Sequence, residues 1–272
     1  MRTLNRLFDF YLQSSIHVAL SVYALIRITE LVLSLPPNTD MACFGFFGTV
    51  VGYNFVKYDA LARSGKPKMS WNLKLFILVS ALSFLAAGYC FLQLNLITQA
   101  VSAICVLITA LYTLPFFPNK TSARSWAGLK IYIVALCWVG VTVVLPVIDA
   151  GVTFNSNGYI ICVKRFILVV VLLFIFEIID LAWDDPHLKT VPQQIGVKRT
   201  KQLGILLLLV FLLLEILRDT QSHDFIANLF LIGATAVFLL FANQRRSKYY
   251  TTFWVESIPI AAYVIMVFLL YF

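Results

Sequence analysis

Charged residues are scarce in this sequence, and their scarcity limits the class of protein it can encode. Charged side chains make up 12% of the 272 residues, whereas hydrophobic side chains make up 61%. A soluble globular domain carries about 25% charged residues. The composition therefore excludes an ordinary soluble protein and predicts an integral membrane protein.

Cysteine is also scarce, and the common motifs of soluble enzymes are missing. The five cysteines are scattered through apolar segments without paired spacing, so they predict neither a disulfide framework nor a zinc site. The chain has no glycine-rich phosphate loop and no Ser/His/Asp arrangement. Haem, nucleotide and protease chemistry therefore have no support in the sequence.

Long hydrophobic runs dominate what remains. A transmembrane helix needs roughly 20 mainly apolar residues. Nine segments meet this requirement, namely residues 14–35, 41–58, 72–93, 95–114, 127–148, 160–182, 202–217, 225–243 and 251–272. They leave no room for a soluble domain, so we predict an all-α, polytopic membrane protein with a single domain over residues 1–272. Residues 1–13 mix charged and apolar side chains and predict a short amphipathic helix on the membrane surface.

The basic residues lie mainly on one side of this predicted bundle. Of the 21 Lys and Arg residues, 17 fall in the N-terminal segment and in the loops after spans two, four, six and eight. The positive-inside rule then places the N-terminus in the cytoplasm and the C-terminus outside. This distribution explains the net charge of +8 without a nucleic-acid partner. We expect a multi-pass protein of a cell membrane, such as a bacterial inner membrane.

Acidic residues gather at the end of span six. Glu177, Asp180 and Asp184 are spaced i, i+3 and i+7 and share one helical face, and Asp185 follows before Pro186 ends the helix. Like charges one turn apart repel, so a cation should be near. A divalent metal holding a phosphate and the downstream Lys and Arg residues are both candidates. A solvated helix end is the structural alternative.

Two further polar groups are expected on the same side. Asn54, Lys57 and Tyr58 share a face at the end of span two, where they face the bundle or the water boundary. Cations follow span four, at Lys120, Arg124 and Lys130. Such lysines are typical of topology determinants as well as of anion ligands. Glu256, one turn inside span nine, can simply reach water.

These motifs together resemble the UbiA-type intramembrane prenyltransferases. The most specific parts of the resemblance are the acidic motif Asp180-Leu-Ala-Trp-Asp184-Asp185 with the following Lys189-Thr-Val-Pro and Gly196, and Tyr112-Thr113 ahead of the basic segment. The resemblance implies nine helices around a cavity that opens to the lipid. It also implies Mg²⁺, an isoprenoid diphosphate as substrate, and transfer of the prenyl group to an acceptor such as an aromatic or quinone precursor.

The resemblance assigns roles to particular residues. Asp180 and Asp184 would be the Mg²⁺ ligands and belong, with Lys120, to the catalytic set. The substrate-binding set would comprise Asn54, Lys57, Tyr58, Tyr112, Arg124, Asp185, Lys189 and Lys198. Its cations would neutralise the leaving pyrophosphate, and membrane lipid would surround the bundle.

The first acidic motif of the family is altered in this chain. When the family pattern NDxxDxxxD is aligned on Asn54, this chain has Phe55, Tyr58 and Ala62 at the positions of the three Asp residues. One possibility is that a single magnesium ion on the second acidic motif, Asp180 to Asp185, suffices, with Lys57 replacing the charge of the other ion. The other is that the protein no longer acts on diphosphates. A lipid or isoprenoid binder of the same fold is therefore the alternative function. A transporter would need ionisable residues nearer mid-membrane.

Overall fold

In the computed structural model, the described residues are 2–63, 71–113, 129–184, 188–218 and 221–271. Their regular structure is helical throughout. The helices are α1 Arg2–Gln13, α2 Ile16–Val32, α3 Thr39–Arg63, α4 Trp71–Gln93, α5 Leu96–Thr113, α6 Leu129–Val139, α7 Leu145–Asp149, α8 Ser156–Asp180, α9 Val191–Ile195, α10 Val197–Ile216, α11 Ser222–Phe241 and α12 Ser257–Tyr271. Two π-helical segments, Gly140–Val144 and Tyr250–Val255, precede α7 and α12.

The predicted all-α membrane architecture is confirmed at the level of several membrane-crossing helices. Within the described ranges, five helical stretches are long and apolar enough to cross a membrane, and a sixth is formed if the bent pair α1 and α2 counts as one span. Each of the nine predicted segments coincides with a helix or with a helix interrupted by a π-helical segment. The number nine and the orientation of the termini remain predictions.

Helix α8 forms the centre of the bundle. It packs against α6, α10 and α11, while α2 packs against α3 and α12. Most of the α8 side chains from Ile167 to Ile179 are buried in one apolar cluster that also includes Phe211 and Met266. A helix that is apolar on all sides is suited to this interior position.

Close helix approach depends on two glycines. A Cβ at Gly45 of α3 would lie 2.3 Å from Cδ1 of Ile26 in α2, and one at Gly204 of α10 would lie 2.5 Å from Cδ2 of Leu239 in α11. Small residues at such crossings let membrane helices pack closely. Gly48, also in the glycine-rich second span, has open space around it.

Both π-helical segments direct a backbone carbonyl towards α2. Pro146 has no N–H to donate to the Thr142 carbonyl four residues earlier, and the Thr29 hydroxyl donates to that carbonyl at 2.6 Å. In the second segment, Nε2 of His17 lies 2.9 Å from the Phe253 carbonyl. The side chains of α2 thus provide hydrogen bonds at the two places where the helices are irregular.

Helix α1 lies across the end of the bundle at 56° to α2. Its Phe8 ring contacts the ring of Phe253 edge-on at 5.2 Å, and its Asp9 carboxylate pairs with Lys248 at 2.9 Å. The opposite side of α1 carries Leu7, which is largely exposed. These contacts suit an amphipathic helix that lies along the membrane surface.

Candidate functional site

A cavity of about 150 Å³ lies between α2, α3, α6, α8 and the beginning of α12. Most of its wall is apolar, being formed by Val18, Ile131, Val134, Trp138, Val169, Leu172, Leu173, Phe176, Val255 and Pro259. Its polar lining consists of Ser21, Tyr53, Lys130, Glu177, Asp180, Asp184 and Glu256. An apolar pocket with a few convergent polar groups has the chemistry of a binding site for a small amphipathic molecule.

The acidic residues of the cavity come from the C-terminal end of α8. The backbone N–H of Asp184 donates to the Asp180 carbonyl at 2.9 Å, so a helical turn continues past the last residue of α8. This turn carries both carboxylates to the same cavity. Neither carboxylate forms a hydrogen bond or an ion pair with another side chain of the described ranges, so both can bind a ligand.

Glu177 is held differently from the two aspartates. Its side chain is buried, and its Oε2 accepts a hydrogen bond from the backbone N–H of Val191 at 3.1 Å. Val191 begins the short helix α9, and the backbone N–H of Thr190 before it donates to the Gln193 side-chain oxygen at 3.0 Å. Glu177 therefore connects the loop after α8 to the core of the bundle and positions the acidic end of the cavity.

Lys130 and Glu256 complete the polar lining, and neither was assigned to the site from the sequence. Lys130 stands in the first turn of α6, and Glu256 directly follows the second π-helical segment. The sequence does contain a signal for Glu256, because an acid inside an apolar span is a functional candidate by default. Lys130 resembled the loop cations that set topology, so its position in the chain did not distinguish it.

The predicted group Asn54, Lys57 and Tyr58 comes together beside the cavity. The Asn54 side chain accepts from the Ser15 hydroxyl and donates to Ser80, both at 2.9 Å. Nζ of Lys57 and the Tyr58 hydroxyl both donate to the Gln13 carbonyl, each at 3.2 Å. These bonds join α3 to α4 and to the junction of α1 and α2.

The neighbouring Tyr53 does reach the cavity, and its hydroxyl accepts a hydrogen bond from the Trp138 indole N–H at 3.1 Å. Neither Tyr53 nor Trp138 stood out in the sequence, since aromatic side chains are frequent throughout the spans. Their hydrogen bond joins α3 to α6 across the cavity wall.

The remaining predicted residues lie apart from the cavity or outside the described residues. Lys189 and Lys198 are exposed and do not line it. Tyr112 belongs to α5, and its side chain lies outside the described part of the chain. Lys120, Arg124 and Asp185 also lie outside the described ranges.

The donor set at the acidic end suits a hard divalent cation. Within the described residues, no group of three or more His, Cys, Asp and Glu side chains is arranged to hold a metal ion. Asp180 and Asp184 provide two carboxylates at one cavity. Mg²⁺ is commonly bound through one or two carboxylates, with phosphate oxygens and water filling its remaining positions. The residues present therefore fit Mg²⁺ bound together with a phosphate.

Comparison with solved structures identifies the class of fold. A UbiA homolog from Archaeoglobus fulgidus bound to Cd²⁺ superposes with a TM-score of 0.64 at 15% identity, covering 94% of this chain and 97% of that one. The same homolog bound to GPP and Mg²⁺ gives a TM-score of 0.64 at 13% identity, covering 95% and 98%. This chain therefore has a UbiA-type fold, as its motifs indicated.

A further solved structure, described as digeranylgeranylglyceryl phosphate synthase in membranes, gives a TM-score of 0.56 at 14% identity, covering 97% of this chain and 96% of that one. No protein-family model matches the sequence, and no curated protein matches it. The likeness to these structures thus resides in the arrangement of the helices rather than in overall sequence.

Proposed function

We propose that this protein is a UbiA-type membrane prenyltransferase, which moves an isoprenoid group from its diphosphate to an acceptor. The observation that carries the proposal is the pair Asp180 and Asp184 on a cavity whose wall is mostly apolar. The UbiA fold supports it, since a homolog of that fold was solved with GPP and Mg²⁺. Like the cavity, an isoprenoid diphosphate has one charged part and one apolar part, namely the diphosphate and the prenyl chain.

The acidic residues and the apolar residues of the cavity have different roles. Asp180 and Asp184 hold Mg²⁺, and Lys130 stands on the facing helix as a cation for the diphosphate. When bound, Mg²⁺ neutralises the diphosphate and makes it a better leaving group. The apolar wall, including Phe176 and Trp138, holds the prenyl chain and excludes water from the cation that forms when the diphosphate leaves.

The other predicted residues extend this proposal. The departure of pyrophosphate is assisted by Lys120, Arg124, Lys189 and Lys198. Tyr112 and Asp185 contribute to substrate binding. Asn54, Lys57 and Tyr58 form the altered counterpart of the first acidic motif. Lys57 supplies there the positive charge that a second metal ion would otherwise bring.

The setting of the reaction belongs to the same proposal. The whole chain acts as one unit in a cell membrane, a bacterial inner membrane being our expectation, with its N-terminus in the cytoplasm. Lipid surrounds the bundle, and the acceptor is an aromatic or quinone precursor. Nothing in the described cavity distinguishes one such acceptor from another.

Binding of geranyl diphosphate to the purified protein, with and without Mg²⁺, tests the proposal. We expect binding that requires Mg²⁺ and is weakened at least about tenfold in Asp180→Ala and in Asp184→Ala. Removing a close charge contact that a ligand needs typically costs 2 kcal/mol or more, which is more than tenfold. Asp40→Asn, which removes a carboxylate at the start of α3, is the matched control and should bind normally.

The same experiment separates the transferase from its alternative. Binding that is indifferent to Mg²⁺ and to both aspartates would contradict diphosphate chemistry at this site. Magnesium-dependent binding without release of pyrophosphate, in a screen of aromatic acceptors, would favour an isoprenoid binder that shares the fold. If pyrophosphate is released in the presence of an acceptor, and if both aspartate variants lose this release, the transferase activity is established.

A further inference from the structure

A second polar cluster lies far from the acidic cavity, in the other half of α8. Lys164 and Arg165 are both buried, with 4% and 5% of their surface exposed. They precede Asp180 by 15 or 16 residues, which corresponds to about 23 Å along a helix. Charged side chains at such a position in a membrane helix are costly and mark functional sites by default.

The two cations of this cluster are compensated unequally. Lys164 pairs with the buried carboxylate of Glu215, whose second oxygen accepts a hydrogen bond from Asn228 at 3.0 Å. Arg165 instead donates to the Leu25 carbonyl and to the Thr29 hydroxyl, each at 3.2 Å. No carboxylate of a described residue contacts the Arg165 guanidinium.

The absence of a carboxylate beside Arg165 has an energetic consequence. A carbonyl and a hydroxyl bring partial charges only, so the full positive charge of the guanidinium remains in an apolar interior. Burying an uncompensated charge costs several kcal/mol. Arginine keeps its proton under all ordinary conditions, so this charge cannot be removed by deprotonation.

A small cavity borders this cation. Its volume is about 20 Å³, and a space of roughly 10–15 Å³ on this measure holds one water molecule. The polar part of its wall consists of Thr29, Lys164, Arg165 and Asn228, each more than nine-tenths buried. Lys164, Arg165 and Asn228 carry N–H groups that can donate hydrogen bonds, and none of the four side chains is a carboxylate.

We propose that this cavity binds one small monovalent anion, of the size of chloride, between Arg165, Lys164 and Asn228. The anion neutralises the guanidinium and accepts hydrogen bonds from these N–H donors. Because Arg165 of α8 also donates to Leu25 and Thr29 of α2, holding the guanidinium in place stabilises the contact between the two helices. The site stands independently of the proposed prenyl transfer.

Radioactive chloride measures the site directly. Equilibrium dialysis of the detergent-solubilised protein against ³⁶Cl⁻ should give one bound ion per chain, displaced by bromide but not by gluconate, which is too large for the cavity. Arg165→Gln should lose this binding. Arg27→Gln is the matched control, because Arg27 already pairs with Glu30 at 2.7 Å and does not border the cavity.

Thermal unfolding gives a second readout that needs no variant. At constant ionic strength, replacing gluconate by chloride should raise the unfolding temperature of the wild type by several degrees, in a saturable manner, because a ligand of the native state stabilises it. A wild type that binds no ³⁶Cl⁻, or binding that Arg165→Gln retains, overturns the proposal. If Arg165→Gln fails to fold, dialysis of the wild type alone decides.

Discussion

Two sets of charged side chains on α8, the Lys164–Glu215 pair near its beginning and the aspartates at its end, are held in opposite ways. Near its beginning, Lys164 is buried and tightly paired with Glu215. At its end, Asp180 and Asp184 lie on a cavity without a side-chain partner in the described ranges. Charges whose partners come from the protein hold the fold together, whereas charges that lack such partners can bind a ligand. On this single helix, the charged residue that stabilises the bundle and the charged residues proposed to bind the substrate lie at different positions.

The largest effect is expected where a buried pair is broken. Lys164→Met removes the cation that pairs with the buried Glu215 carboxylate, and losing one partner of a buried pair costs about 3–5 kcal/mol. We expect a large fall in the thermal unfolding temperature in detergent. The double variant Lys164→Met/Glu215→Leu should recover most of the loss, since apolar residues of similar size can replace a buried pair. A single variant as stable as the wild type would contradict the structural role of this end.

An intermediate effect is expected at Glu177, whose carboxylate accepts a hydrogen bond from the Val191 N–H. Glu177→Leu leaves the Val191 N–H without its acceptor, and an unsatisfied buried donor costs about 1–3 kcal/mol. Thermal unfolding should show this loss, and Glu177→Gln, which keeps an acceptor oxygen, should lose less. Equal losses in the two variants would show that the hydrogen bond is not what holds the loop.

The smallest effect within α8, with the opposite sign, is expected at the unpaired acids. Asp180→Asn removes the repulsion between two carboxylates one turn apart, which is worth at most about 0.5 kcal/mol. The unfolding temperature in the absence of ligand should therefore stay equal or rise slightly, while magnesium-dependent binding of geranyl diphosphate is lost. A strongly destabilised Asp180→Asn would place this acid among the structural residues.

The sequence was a good guide to the helices and to the grouping of the acids. Within the described residues, apolar runs of sufficient length coincide with the long helices, and Asp180 and Asp184, which their spacing places on one helical face, border one cavity. These features are local, because a helix fixes which residues share a face.

The parts that escaped prediction depend on contacts between distant segments. Glu256 and Trp138 reach the cavity because α6 and the π-helical segment before α12 pack beside α8, and no local pattern encodes that packing. The π-helical segment before Glu256 also shifts the face on which this residue lies. Likewise, the partner of Lys164 is 51 positions away, so the sequence showed the two charges without showing that they pair.

A surface ion pair extends the comparison to the end of the bundle, where pairing should matter least. Asp9 of α1 accepts hydrogen bonds from Lys248 and Tyr249, and these bonds lower the pKa of its carboxyl group. A lowered pKa means that the pair stabilises the folded state above the unfolded pKa of Asp, about 4, and that this stability is lost as the pH falls through the folded value. Because both partners are partly exposed, the effect should be at most about 1 kcal/mol.

The difference in unfolding temperature between wild type and Asp9→Asn measures this contribution. We expect a small difference at pH 7 that diminishes as the pH falls below about 4 and shrinks in high salt, because exposed pairs are screened. Lys248→Met should show the same pH dependence. A difference that persists in acid would mean that Asp9 fixes α1 through packing, and the distinction between paired and unpaired charge would then apply only to the buried core.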